Sequence, residues 1–395
     1  MVNQSALRIP QSALYFAYLL AALVVSLQWL SLGANEYGYT IYENYIIFKN
    51  SFTHLVQGQN PYGIYVVEQW DLYKYSPAFA LAMAPFAVLP DWLGLQLWNL
   101  LNTMPLLWGI LRIPVLPPKQ RRFLAWFILP ELVISIQNSQ SNGLTAALLI
   151  WSWVALENSK PVWSAWWAAA GGFLKIFGVF AAVPAMVYPQ RRAFVPALAF
   201  WAVLLVLIPL VVVSPAQLWQ VYQWWFELLQ EDHSASVGLS VLGWLETWFG
   251  WEAPKFGVTL FGFLVLGLST LAVYRQRDAD GMPPALSRQL LWASLLLWVV
   301  IFNHKAESPT FVIALIGVAL WYFSFEKPAL WVKVLLWTAF ALASLSPTDI
   351  FPREIRQQFV QPYVLKAVPC ILIWCLISLR LLRPSKQQLP LTSHE

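Results

Sequence analysis

Charge is scarce in this 395-residue chain: 11% of its residues are Asp, Glu, Lys or Arg, against 59% hydrophobic ones. That balance excludes an ordinary water-soluble enzyme, and length here counts membrane crossings rather than globular domains. Cysteine is nearly missing too. The only two, Cys370 and Cys375, stand five helical positions apart on different faces, which gives no zinc, redox or disulfide motif. No Walker A loop, dinucleotide glycine motif, H-E-x-x-H or G-x-S-x-G run occurs. A nucleotide-sugar donor handled in the cytoplasm is therefore disfavoured. Short-period repeats are absent, and nucleic acid is not an expected partner.

What is abundant is aromatic and aliphatic: 24 Trp, 24 Phe and 15 Tyr. The chain reads as an integral membrane protein. After a polar start carrying Arg8, an apolar run from about Ser12 to Leu32 is too long for a signal-peptide core and lacks a small-x-small cleavage site. It reads as a retained first membrane helix. Further apolar segments fall near 77–89, 92–112, 123–137, 143–157, 162–174, 176–188, 193–213, 257–274, 289–302, 309–325, 329–346 and 364–382. Several are shorter than the ~20 residues that span a bilayer, as around a water-accessible cavity.

Loop charge sets the expected orientation. Sixteen of the 24 basic residues, including Arg8, Arg112, Lys119, Arg121, Arg122, Arg191, Arg192, Arg288 and Lys386, fall on one set of loops. The other eight share their loops with most of the carboxylates. The richer set faces the cytoplasm, so both termini lie inside. Parity then requires one net crossing over 77–112, and the total becomes about twelve. The expected fold is an all-α polytopic bundle over residues 1–383 with a polar cytoplasmic tail, 384–395. Two outer segments stand out. Tyr42–Leu55 has the pattern of an interfacial amphipathic helix, and the Trp-rich stretch 215–256 that of one or two helices at the headgroup level.

Polarity concentrates on the outer side. The first outer loop supplies Glu36, Glu43, Asn44, Glu68, Asp71 and Lys74. Transfer of a sugar from a phosphate-linked donor needs a carboxylate to take the acceptor proton and cations to hold the departing phosphate. A turn of amides and hydroxyls, Gln137, Asn138, Ser139, Gln140, Ser141 and Asn142, suits sugar hydroxyls as donors and acceptors; it also suits a plain polar turn. Lys175, set between two apolar runs, either joins a site or snorkels, with Glu131 as the candidate counter-charge. The turn His304-Lys305-Ala306-Glu307 is the densest short outer turn. His304 suits phosphate binding or proton transfer, or a structural role. Asp349, Arg353, Glu354 and Arg356 form a late outer patch that reads as solvated ion pairs.

The run Gly58, Pro61-Tyr62, Tyr73-Lys74-Tyr75-Ser76-Pro77, Ala84-Pro85 and Leu89-Pro90 resembles the "G-x-x-P-Y … Y-K-Y-P-P … A-P-x-x-x-L-P" wording of glycosyltransferase family 87, with Ser76 for the first proline. Ser139-Gln140-Ser141-Asn142 is similar to the family's "G-Q-x-N" turn. Gly171-Gly172-Phe-Leu-Lys175 is similar to its "K-x-x-P" element, with Gly178 at the proline. Asp232-His233 followed by Gly238-Leu-Ser240-Val-Leu-Gly243 resembles its serine loop, and His304 with Ser308-Pro309 matches only weakly.

The resemblance implies a GT-C fold with the active site at the outer face of a bacterial cytoplasmic membrane. It implies an inverting transferase that takes mannose or arabinose from a polyprenyl-phosphate donor to a lipid or glycan acceptor, with no metal or other cofactor. The expected residues are Glu43, Asn44 and Asp71 for catalysis; Lys74, Tyr75, Lys175, His304 and Lys305 for the donor phosphate; and Gln137, Asn138, Gln140, Asn142, Ser240 and Glu307 for the sugar and acceptor. One departure stands out. The family's base is an Asp about fourteen residues before the loop glycine, and counting back from Gly58 reaches Asn44. The base then falls to Glu43 or Asp71. A transporter or flippase, or a non-catalytic scaffold of envelope polysaccharide assembly, is the competing class.

Overall fold

Proline marks where helices begin. Pro77, Pro118, Pro161 and Pro215 each occupy the first helical position of their elements, where a fixed φ and a missing N–H fit the start of a helix. The computed structural model describes residues 10–231 and 236–383, and its regular elements are helices apart from one isolated bridge between Ala34 and Thr40. Arg8, Asp232, His233, Lys386 and the tail 384–395 lie outside the described residues.

The order is α1 (Gln11–Leu32), α2 (Glu43–Val56), α3 (Pro77–Ala82), α4 (Ala84–Ala87), α5 (Asp91–Leu111), α6 (Pro118–Gln137), α7 (Asn142–Glu157), α8 (Pro161–Leu174), α9 (Ala182–Ala185) and α10 (Arg191–Leu207). There follow α11 (Pro215–Glu231), α12 (Val241–Phe249), α13 (Lys255–Tyr274), α14 (Ala285–Ile301), α15 (Phe311–Tyr322), α16 (Leu330–Phe340), α17 (Arg353–Ile355) and α18 (Val368–Leu382).

The centre is a hairpin of α14 and α15, buried from Ser287 to Ile301 and from Phe311 to Trp321. Around it pack α6, α7, α13 and α18. Trp153 of α7 stacks on Trp292 of α14 with centroids 5.6 Å apart. The periphery is as apolar as the core. Phe200 and Val203 on α10, and Phe261 and Leu264 on α13, are exposed, the outward face expected where the solvent is lipid rather than water. Among the described residues three helices, Gln11–Leu32, Arg191–Val211 and Lys255–Tyr274, are long and apolar enough to cross a membrane, accompanied by five shorter apolar helices.

The segment expected at 77–89 is two short helices, α3 and α4, of six and four residues. At 1.5 Å per residue they reach roughly 9 and 6 Å, far below a bilayer core. The interfacial patterns do form helices, α2 at Glu43–Val56 and the pair α11 and α12.

At one end of the bundle a closed polar cluster ties α7 to α14. Arg288 Nη2 meets Glu157 Oε2 at 2.8 Å, Tyr188 donates to Glu157 Oε1 at 2.6 Å, and Trp292 donates to the Tyr188 hydroxyl at 3.2 Å. The opposite end is open.

Candidate active site

The first loop is built on its own aromatic and acidic residues. Beyond α2 the chain folds back over that helix, and Glu43 Oε1 accepts the Trp70 N–H at 2.9 Å. His54 Nε2 meets Glu68 Oε2 at 3.0 Å while its ring stacks on Tyr65 at 3.9 Å. Tyr62 donates to the Tyr75 carbonyl and Tyr73 to that of Ser76. Phe48 packs edge-on against both Tyr75 and Phe79. These contacts fix residues 71–76. Ser76 then does two things a proline cannot: its hydroxyl accepts the Phe79 N–H as the N-cap of α3 and donates to the Phe173 carbonyl at 2.5 Å. The first loop is thereby fastened to the end of α8.

That end carries Lys175. The chain leaves α8 in extended conformation at Lys175 and re-enters a short 3-10 helix, Ile176–Ala181. The two limbs touch backbone to backbone: a Cβ on Gly178 would come within 2.2 Å of the Gly171 carbonyl carbon. Glycine is required there, and the close approach leaves Lys175 at the apex. Its ammonium donates to Asn142 Oδ1 at 2.5 Å and lies 5.9 Å from the ring centroids of both Tyr75 and Phe177. Burial pushes this lysine down to about 8, with the Glu307 carboxylate opposing the fall.

The third wall joins the amide turn to the histidine turn. Asn142 Nδ2 donates to Gln140 Oε1 at 2.7 Å, and Gln140 Nε2 donates to Glu307 Oε2 at 2.6 Å. A line of hydrogen bonds thus runs from Lys175 through two amides to a carboxylate. Asn44 Nδ2 donates to the Asn138 carbonyl at 2.9 Å, bringing α2 to the same turn. The 303–307 turn is held from behind by the Leu239 N–H on the Ala306 carbonyl at 2.8 Å. Gly238, at φ +59°, lets the chains meet, since a Cβ there would sit 2.6 Å from the His304 carbonyl oxygen.

These walls enclose a cavity of about 360 Å³ at the open end, between α2, α8, α11 and the 303–307 turn. Of the sequence-derived residues, Asn44, Asp71, Lys74, Tyr75, Gln140, Lys175, His304, Lys305 and Glu307 line it. Asp71 accepts from the Leu72 N–H at 2.7 Å and pairs with Lys74 at 3.2 Å, both side chains half-exposed. Asn142 is buried directly behind Lys175.

The others do not line the cavity. Glu43 is buried beneath Trp70, where burial raises its carboxyl and the Trp70 N–H works against the rise. Gln137 ends α6 and accepts from Trp29 Nε1 through its carbonyl. Asn138 returns its amide to the Ile134 carbonyl. Ser240 caps α12, accepting from the Leu242 and Gly243 N–H groups and donating to the Val237 carbonyl.

Glu131 is not the counter-charge of Lys175. It pairs with Lys366 at 2.9 Å, in a buried contact that also takes Ser308 Oγ at 2.6 Å. Residues 235 apart in sequence carry no local signal for such a pair. Sequence reasoning also missed the apolar wall from Phe173, Trp225 and Leu229.

A family model described as glycosyltransferase family 87 matches residues 73–303. The chain belongs to glycosyltransferase family 87. The match spans more than half of the sequence and takes in Lys74, Tyr75, the amide turn, Lys175 and Ser240. It begins after Asp71 and ends just before His304. The comparison with curated proteins gives no match. This family 87 chain is a membrane glycosyltransferase, and its open polar cavity is the candidate site of transfer.

Proposed function

We propose that the protein moves a mannose- or pentose-like sugar from a polyprenyl-phosphate donor to a lipid or glycan acceptor at the outer face of a bacterial cytoplasmic membrane. The acceptor hydroxyl attacks the anomeric carbon as the bond from that carbon to the phosphate oxygen breaks. Its electron pair leaves with the polyprenyl phosphate. Asp71 takes the acceptor proton as general base, and one displacement inverts the anomeric centre. Lys74 and Lys175 balance the charge that grows on the departing phosphate. Gln140, Asn142 and Glu307 offer the donors and acceptors that sugar hydroxyls need.

The observation that carries the reading is that of the two carboxylates expected as base, Asp71 lines the cavity together with Lys74, Lys175, His304 and Lys305, while Glu43 is turned away. A lipid donor fits a second feature. Gly172, Phe173, Ile176, Trp225 and Leu229 line both the cavity and an adjoining groove of about 990 Å³ between α8, α10 and α11, walled almost wholly by apolar side chains. A long isoprenoid chain lies there with its phosphate in the cavity.

The test is sugar transfer by purified protein from decaprenyl-phosphate sugars to a membrane lipid extract. Asp71→Asn should lower kcat by about 10²–10⁴-fold, the usual worth of a positioned base, with donor binding kept. Glu43→Gln should keep its rate. A loss confined to Glu307→Gln would move the base to that residue, and full activity in Asp71→Asn rejects the assignment.

A further inference from the structure

The closed end of the bundle gathers cations without carboxylates to match them. Two helices long and apolar enough to cross a membrane come together there, Arg191–Val211 at its first residue and Lys255–Tyr274 at its last. Both are mostly unburied, so these ends fall at the level of the lipid headgroups. Arg191 and Arg192 stand on one side of the junction, Arg275 and Arg277 on the other. Tyr274 holds two of them. Arg191 Nη2 donates to its hydroxyl at 2.9 Å, with the guanidinium carbon 4.9 Å from the ring centroid. Arg277 lies over the same ring at 3.3 Å and donates through Nε to the Tyr274 carbonyl at 2.8 Å. The two like charges are thereby kept within about 8 Å of each other, roughly one Debye length at physiological salt, and repel.

The backbone around the pair is tied down. The Arg191 N–H donates to the carbonyl of Tyr188, a member of the closed Glu157–Arg288 cluster. Ser287 donates to Gln276 Oε1 at 2.6 Å, which fastens the loop after α13 to α14. No carboxylate answers the two charges. Glu157 is taken by Arg288, and Asp278 accepts the Met282 N–H at 2.9 Å. Among the described residues neither Asp278 nor the exposed Asp280 forms an ion pair with Arg191 or Arg277. A guanidinium has five N–H donors, yet beyond the bonds to Tyr274 neither arginine has a further acceptor among the described residues. The Tyr274 hydroxyl, which accepts from Arg191, keeps its own proton to donate. Two planar forks beside a hydroxyl suit the oxygens of a phosphate group.

We infer that Arg191 and Arg277, held together on Tyr274, bind the phosphate of an anionic phospholipid headgroup at the closed end of the bundle. The lipid's acyl chains lie along the unburied faces of the two helices whose ends form the site. The bound phosphate relieves the repulsion between the arginines and clamps the start of α10 to the end of α13. This site is at the other end of the molecule from the polar cavity, and it is independent of the transfer reaction.

The experiment measures binding of a fluorescent phosphatidylglycerol to the detergent-purified full chain at fixed ionic strength, with untagged phosphatidylglycerol, phosphatidylcholine of the same acyl chains and inorganic phosphate as competitors. Phosphatidylglycerol should compete at a concentration at least about tenfold lower than phosphatidylcholine, and inorganic phosphate should not compete where phosphatidylglycerol does. Arg191→Gln and Arg277→Gln should each raise the Kd about fivefold, the worth of one arginine at an anionic headgroup. Arg192→Gln and Arg275→Gln, which remove the same charge from exposed neighbours, should change it less than about twofold. Tyr274→Leu removes no charge but releases both guanidiniums, and it should weaken binding as much as either glutamine variant. Where one variant does not fold, as judged by a lost gel-filtration peak, the others decide. Equal competition by phosphatidylcholine overturns the inference. So do equal losses in all four arginine variants with Tyr274→Leu silent, which would leave only a general surface potential. Competition by inorganic phosphate as strong as by phosphatidylglycerol would make this a site for a soluble phosphate and overturn the assignment to a lipid.

Discussion

Two lysines occupy the same end of the bundle and have opposite surroundings. Lys366, just before α18, is 3% exposed and fully engaged: it donates to Glu131 and to Ser308, and the face of Phe311 lies 5.1 Å away. Lys175 is half-buried, has among the described residues one neutral amide oxygen as its hydrogen-bond acceptor, and borders a cavity of about 360 Å³. An ammonium has three donors. Around Lys366 protein groups take them up; around Lys175 the space that remains suits an anion. The difference teaches that burial alone does not identify a functional charge. What the protein leaves unsatisfied does.

The largest effect comes from breaking the closed pair. Lys366→Met strands the Glu131 carboxylate in an apolar interior, and removing one partner of such a pair costs about 3–5 kcal/mol. Thermal unfolding in detergent should show a clear drop in Tm, regained when Glu131→Leu is added. If the single variant unfolds like the wild type, Lys366 is not the structural member of the comparison.

The open lysine behaves the other way. Lys175→Met relieves a desolvated charge, so Tm should hold or rise, while the donor KM should rise about 10–100-fold for one lost charge-assisted contact to phosphate. The pH profile sharpens this. Lys175 is held down to about 8 by burial, so it is charged below that value and loses its charge as pH rises through it. Because kcat/KM reports the free enzyme, it should fall tenfold per unit above pH about 8. Lys175→Arg should move that limb beyond the measurable range. A limb still at about 8 in the arginine variant assigns it to another group.

Why one lysine was legible and the other was not follows from what a sequence displays. Lys175, the 137–142 turn and the 304–307 turn stand out because each interrupts an apolar run, and of these Gln140, Asn142, Lys175 and the 304–307 turn come together at the open end, while Gln137 and Asn138 do not line the cavity. Helix type was legible for the same reason: α2, α11 and α12 carry their apolar stripes in the local order of residues. Partnership was not. Charge complementarity suggested Glu131 for Lys175, but the fold gives Lys175 an amide 33 positions away and Glu131 a lysine 235 positions away. Nor can spacing tell which carboxylate of the first loop faces the cavity. Glu43 is adjacent to Asn44, yet the chain at Trp70 folds over one and leaves the other on the wall. The cavity and its groove belong to surfaces from three or more elements, so no stretch of sequence contains them.

The smallest effect concerns the residue that couples the two halves of the open site. Ser76 replaces a proline of the family's wording, and its φ of −65° is one that proline adopts. Ser76→Pro therefore keeps the backbone while removing both hydroxyl contacts, the cap on α3 and the bond to Phe173. The lost cap costs about 1 kcal/mol, partly returned by a stiffer unfolded chain. Ser76→Ala loses the same contacts without that return. It should be the less stable of the two by roughly 0.4–1 kcal/mol, and both should raise the donor KM only a few-fold, since Lys74 and Lys175 remain but their loops are no longer tied. Equal donor KM values in wild type and both variants would mean that the tie stabilises the fold without aligning the two lysines, and the open site would then depend on Gly171 and Gly178 alone to hold Lys175 in place.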